Sequence, residues 1–134
     1  MLNERNKVSP ARILVIDDEP QVTEIIDAFL SNAGHKVYIE NVASTGLKKA
    51  RELKPDIILL DIMMPDTDGY AICNRLKNDP DTSEIPVVFL TGKDRADDQG
   101  RSFKAGGDMF IKKPFSCERL LEIINIILLS TAKH

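Results

Sequence analysis

Five polar residues stand where apolar runs end, and their types point toward phosphoryl chemistry on a carboxylate. Asp17 and Asp18 follow Arg12–Ile16, Asp61 follows Ile57–Leu60, Thr91 follows Val87–Leu90, and Lys113 lies just past Asp108–Ile111. Short, uninterrupted aliphatic runs are the pattern of strands buried on both faces of a parallel sheet. Acids at the C-terminal lips of such strands occupy the edge where open α/β sheets carry their chemistry. If the first and third strands are neighbours, three carboxylates converge. Two like charges about 4 Å apart at an effective dielectric near 20 repel by roughly 4 kcal/mol. Such a cluster must bind a cation, retain protons or come apart. An open shell of hard oxygens suits Mg²⁺, which keeps waters and accepts phosphate oxygens. The Lys113 ammonium offers a point charge to one phosphate oxygen, and the Thr91 hydroxyl a hydrogen bond to another. Taken alone, Asp61 reads equally well as a turn or helix-capping aspartate, and Thr91 as a satisfied strand-end hydroxyl. The set as a whole favours a carboxylate that accepts a phosphoryl group beside a metal.

The elements that must position these groups follow from periodicity and punctuation. After Asp17-Asp18-Glu19, Pro20 suits a first helical turn, and Val22, Ile25, Ile26, Phe29 and Leu30 recur at helical spacing up to Gly34. Val37–Ile39 is a brief strand, and Ser44 caps a short helix through about Leu53. Lys54-Pro55-Asp56 breaks that helix ahead of Ile57–Leu60. Pro65 and Asp68-Gly69 supply turn chemistry before a third helix carrying Tyr70, Ile72, Cys73 and Leu76. A loop at Asn78–Thr82 leads to the fourth strand, Val87–Leu90. A weak helix around Asp97–Ala105 contains Gly100, which costs about 1 kcal/mol relative to alanine, and Gly106-Gly107 ends it. Asp108–Ile111 is the fifth strand, and Ser116 caps the last helix. Five strands alternating with five helices predict a flavodoxin-like (βα)5 doubly wound parallel sheet of strand order 2-1-3-4-5. That order places the acids, the threonine and the lysine along one edge.

At 134 residues the chain is one domain, with 43% hydrophobic and 29% charged residues. A net charge of −3 gives no footprint for nucleic acid or a membrane surface. Cys73 and Cys117 show no paired spacing, which fits reduced thiols in a cytoplasmic protein. The polar opening lacks the apolar core of a signal peptide. The apolar run Leu120–Leu129 is about half what a bilayer requires. A Gly-rich phosphate cradle does not follow the first strand.

These pieces, in this order, resemble the receiver domain of two-component response regulators over nearly all of Arg12–Leu129. The motifs are Ile-Leu-Val-Ile-Asp-Asp-Glu-Pro at 13–20, Leu-Leu-Asp-Ile-Met-Met-Pro-Asp-Thr-Asp-Gly at 59–69, Phe-Leu-Thr-Gly at 89–92 and Lys-Pro-Phe at 113–115. The resemblance implies that Asp61 accepts the phosphoryl group from a sensor histidine kinase or phosphotransfer protein. Asp18 and Asp61 would ligate Mg²⁺ with the backbone carbonyl of Met63, and Asp17 would act largely through bound water. Thr91 and Lys113 would grip the phosphoryl oxygens, and Phe110 falls at the aromatic switch position. It further implies no turnover of a separate substrate, a receiver domain at 12–130, and tails at 1–11 and 131–134. Gly106-Gly107-Asp108-Met109-Phe110 departs from the usual pattern and loosens the fourth helix. An unphosphorylated scaffold receiver and an aspartyl-nucleophile phosphatase are the competing readings; the phosphatase usually spaces two aspartates two apart on the first strand, unlike Asp17-Asp18-Glu19. On the last helix, Ile126 and Leu129 fall among Glu118, Glu122 and Asn125, outside the apolar stripe. They are candidates to meet a second copy or a downstream protein, with no direct contact to nucleic acid or membrane. Either a stand-alone receiver or a piece of a longer chain fits this length.

Overall fold

The computed structural model describes residues 10–65, 67–92 and 109–131. The helix expected around Asp97–Ala105, its Gly106-Gly107 exit and most of both tails lie outside the described residues. Among the described residues, seven strands and four helices follow in order: β1 (Arg12–Ile16), α1 (Pro20–Asn32), β2 (Lys36–Glu40), α2 (Ala43–Leu53), β3 (Ile57–Asp61), β4 (Met63–Met64), β5 (Thr67–Asp68), α3 (Gly69–Lys77), β6 (Val87–Thr91), β7 (Met109–Lys112) and α4 (Cys117–Thr131). The main sheet is parallel, in the order β2-β1-β3-β6-β7. With the small antiparallel β4–β5 pair set aside, this is the 2-1-3-4-5 order of the sequence reading.

Alternation along the strands explains why both faces are covered. Leu14, Ile16, Ile58, Leu60, Val87 and Phe89 turn to one face, against α2 and α3. Ile13, Val15, Ile57, Leu59, Val88 and Leu90 turn to the other, against α1 and α4. Successive strand residues point to opposite faces, so a run apolar at every position needs helices on both sides. All four residues Ile57–Leu60 are fully buried, and each such side chain contributes about 1.5–3 kcal/mol of transfer free energy. Close approach helps as well. A Cβ at Gly46 would sit 2.8 Å from Ile16 Cδ1, so α2 lies directly on β1.

Helix ends follow local chemistry, with one correction. α1 starts at Pro20 and closes in a complete Schellman motif, where the Gly34 amide donates to Ser31 O and the His35 amide to Leu30 O. Gly34 has φ +101°. Ser116 caps α4, its Oγ accepting from the Arg119 amide at 3.0 Å. Ser44 does not cap α2; the helix begins one residue earlier, at Ala43, and its N-cap is Val42 with no side-chain bond. The fifth main-sheet strand runs Met109–Lys112, one residue later than the sequence pattern placed it. Ala11 is buried, and its amide donates to His35 Nδ1 at 3.1 Å. No helix among the described residues is long and apolar enough to cross a membrane.

The Schellman geometry supplies a test of the α1 terminus. Space around Gly34 is open, so Gly34→Ala meets no clash and carries only the cost of positive φ. Urea denaturation is expected to show a loss of about 1 kcal/mol; an unchanged midpoint would contradict the assigned backbone.

Candidate functional site

The parallel register brings the ends of β1, β3 and β6 level with one another. Ile16 lies beside Leu60, and Asp61 beside Leu90. The chain therefore leaves the core at Asp17, Asp61 and Thr91 along one edge, and the turn after β7 delivers Lys113 to the same place. The Lys113 amide donates to Thr91 O at 2.6 Å, which fixes this last connection. The Lys113-Pro114 peptide is cis.

At this edge, Lys113 Nζ lies 3.0 Å from Asp17 Oδ2, 3.0 Å from Glu19 Oε1 and 3.6 Å from Asp61 Oδ1. Asp17 and Asp61 are buried, and Glu19 is exposed. Asp17 is held on both sides: its Oδ1 accepts from the Glu19 amide at 2.9 Å, and Asn41 Nδ2 donates to its carbonyl at 2.7 Å. Asp61 Oδ1 also accepts from the Met63 amide at 3.2 Å. One carboxylate oxygen from each of Asp17, Glu19 and Asp61 can be chosen so that all lie within 4.8 Å of one another.

Electrostatics follow from this crowding. Burial pushes the Asp61 carboxyl up to about 7, and the Asp17 charge adds to the shift; the Lys113 ammonium and the Met63 amide pull the other way. Burial acts to lower the Lys113 ammonium, but its hydrogen bonds to Glu19 and Asp17 and the acid charges around it outweigh that and raise it. The buried Asp18 Oδ1 has no hydrogen-bond partner. A buried carboxylate oxygen without a partner, next to two further buried acids, is what a hard cation would relieve, so the donor set fits Mg²⁺.

Each residue singled out from the sequence can now be placed. Asp17 and Asp61 both pair with Lys113, and the half-buried Asp18 lies next to Asp61. Thr91 is buried at the end of β6. Met63, in β4, exposes its side chain while its amide reaches Asp61. Phe110 in β7 is half-buried opposite Phe89, against the face covered by α2 and α3. Ile126 and Leu129 are 52% and 56% exposed.

Two residues escaped the sequence reading. Glu19 appeared there only as the last of the acidic run before Pro20 and as part of the motif at 13–20, whereas its side chain reaches Lys113. Gly69 was read as turn chemistry. It is the first residue of α3, behind an Asp68 N-cap that accepts from the Tyr70 amide at 2.8 Å. A Cβ at Gly69 would lie 2.5 Å from the Asp61 carbonyl oxygen and 2.7 Å from Ile62 Cα. Only a residue without a side chain lets α3 start directly against the backbone of Asp61.

Comparison with known proteins gives one answer. Residues 13–125 match the response regulator receiver domain. Protein PilH of Pseudomonas aeruginosa is 37% identical over 118 residues, which span 88% of this chain and 98% of PilH. The DNA-binding dual master transcriptional regulator RpaA of Synechocystis is 37% identical over 129 residues, 92% of this chain and 54% of RpaA. The chain spans about half the length of several curated relatives it matches. A CheY-like receiver domain protein of Methanospirillum hungatei superposes with TM-score 0.85 at 28% identity, covering 91% of this chain and 96% of that one. The BeF3-activated receiver domain of Klebsiella pneumoniae RstA superposes with TM-score 0.81 at 29% identity, covering 87% and 97%.

The raised Asp61 carboxyl has a consequence for stability. Its folded value of about 7 exceeds the ordinary 3.8, so the folded protein holds a proton that the unfolded chain releases between those values. Stability from this group is therefore present at low pH and lost as pH rises toward 7. Without divalent cations, Asp61→Asn should exceed wild type by up to about 4 kcal/mol near pH 8. The gap should shrink steadily as pH falls toward about 4. Urea titrations across that range check it, and a pH-independent gap is the contrary result.

Proposed function

The chain belongs to the response regulator receiver domain family, and from that premise we propose that it accepts a phosphoryl group on Asp61 and changes its output surface in response. The donor would be a phosphohistidine on a sensor kinase or phosphotransfer protein. The observation that carries this reading is the buried Asp61 carboxyl facing the Lys113 ammonium at 3.6 Å, beside the partnerless Asp18 oxygen.

In the proposed reaction, an Asp61 carboxylate oxygen bonds to phosphorus as the phosphorus–nitrogen bond of the donor histidine breaks, the imidazole keeping that electron pair. Asp61 must be ionised to attack, and its resting value near 7 means that charge has to be compensated. Asp17, Asp18, Asp61 and the Met63 carbonyl would hold Mg²⁺, which when bound supplies that compensation and neutralises the transferring group. Lys113 shifts from its carboxylate partners toward the new phosphoryl oxygens, and the Thr91 hydroxyl donates to another. Thr91 is the last residue of β6, so its movement passes to the chain that follows, and Phe110 turns inward on the same edge. Carrying such a switch from 1:99 to 99:1 requires about 5.5 kcal/mol of preference for one state. No separate substrate is turned over, and the proposed setting is the cytoplasm, with proteins rather than nucleic acid or membrane as direct partners.

Output is assigned to α4. Leu120, Ile123, Ile124, Ile127 and Leu128 are buried, so Ile126 and Leu129 are surplus to the core. A second copy of the chain would cover them.

Two measurements test this reading. Incubation with a small-molecule phosphodonor and Mg²⁺ should add one phosphoryl group to wild type and none to Asp61→Asn, read by intact mass. Equal uptake by both proteins would move the acceptor elsewhere. For the output face, Glu at both Ile126 and Leu129 is expected to shift the phosphorylated protein to monomer in sedimentation velocity. Unchanged sedimentation removes that contact from the reading.

A further inference from the structure

The second close partner of Lys113 has no role in the phosphoryl-transfer set. Glu19 occupies the N-cap position of α1, yet its side chain makes no capping bond. It extends instead to Lys113, and its Oε1 sits as close to Nζ as the Asp17 oxygen does, at 3.0 Å. These two anchors differ in kind. Asp17 is fully buried and fixed by the Glu19 amide and by Asn41 through its carbonyl. The Glu19 side chain is 54% exposed, so water can replace whatever it loses.

An ammonium carries three N–H donors. Two are directed at Asp17 and Glu19, and Asp61 Oδ1 lies farther off. A phosphoryl group on Asp61 must draw a donor from this same lysine. Of the two close partners, Glu19 is the one that gives way at low cost.

We infer that Glu19 is a positioning residue that parks Lys113 in the unphosphorylated protein and yields it when a phosphoryl group arrives, thereby setting how tightly the phosphorylated state is held. The inference rests on the proposed phosphorylation of Asp61. Glu19 touches neither the acceptor oxygen nor the incoming group in this account; it acts through Lys113. Because the Glu19 side chain is half-exposed while Lys113 is largely buried, releasing Glu19 shifts the equilibrium modestly, about two- to five-fold.

The test is a double-mutant cycle on binding of fluoroberyllate, used as the phosphoryl mimic in the presence of Mg²⁺. Wild type, Glu19→Gln, Lys113→Met and the double variant are titrated by ¹⁹F NMR, to concentrations that saturate the weaker Lys113 variants. Glu19→Gln should bind about two- to five-fold more tightly than wild type, and the gain should vanish in the Lys113→Met background. A gain of equal size in both backgrounds is a bare charge effect and overturns the inference, as does no gain at all. Mg²⁺ affinity, measured alone by NMR titration, should stay within about two-fold of wild type on Glu19→Gln. A loss of about ten-fold or more would make Glu19 a metal ligand and also overturn the inference. A wild-type protein that takes up neither fluoroberyllate nor a phosphoryl group sinks the underlying reading of Asp61, a result distinct from equal affinities in wild type and Glu19→Gln.

Discussion

Three carboxylates share one ammonium at the C-terminal edge of this sheet, and the arrangement cannot relax within the fold. Asp17, Glu19 and Asp61 all lie within 3.6 Å of Lys113 Nζ, so attraction to one cation opposes repulsion among three anions. Two of the acids are buried, where water screens them poorly. The imbalance falls on Asp61, whose carboxyl is pushed up to about 7 by its burial first and the Asp17 charge second. The site thus holds a proton at the position where chemistry calls for a charge. What lets this persist is the rigidity around it: three adjacent parallel strands, buried at every position but Arg12, end in register at the three positions concerned.

That rigidity comes from apolar packing at some distance from the charges. Strand residues feed two separate hydrophobic clusters, one on each face of the sheet, and neither can slip without exposing the other, because a one-residue shift exchanges the faces. Gly69 completes the hold by letting α3 begin against the Asp61 backbone. The edge beyond is softer. Phe110 is half-buried and Met63 largely exposed, so the groups flanking the acids have room that the acids lack. A tightly packed Asp61 with less tightly packed neighbours suits the proposed switch.

Much of this was legible in the sequence because it depends on short-range rules. Apolar runs bounded by acids and turn formers located the five main strands, and binary alternation with helices gave their order. Glycine at 34 and serine at 116 marked helix ends through backbone and hydroxyl geometry that acts within a few residues. What failed was of another sort. Ser44 looked like a cap, but the chain had already entered the helix after Val42. Ile25 shares helical spacing with Ile26 and Leu30 yet is exposed, since periodicity gives a stripe's direction and not its width. Glu19 and Gly69 owe their roles to Lys113, 94 residues away, and to a backbone contact across a hairpin; no local pattern encodes either. The helix expected around Asp97–Ala105 falls outside the described residues.

The charge balance also constrains the order of events at the site. Asp61 is already costly to ionise with Lys113 nearby, so a phosphoryl group, which brings between one and two further negative charges, about 1.5 to 2 at neutral pH, cannot be accommodated by that lysine alone. Additional positive charge has to be in place before or during transfer, and the unpaired Asp18 oxygen marks where the existing shell is unsatisfied. In the proposed reaction, cation binding at this edge would therefore come before phosphoryl transfer or accompany it. The same crowding would set the proposed phosphorylated state apart from the resting one, because Lys113 already has three acids within 3.6 Å and cannot serve a phosphoryl group without loosening its hold on one of them.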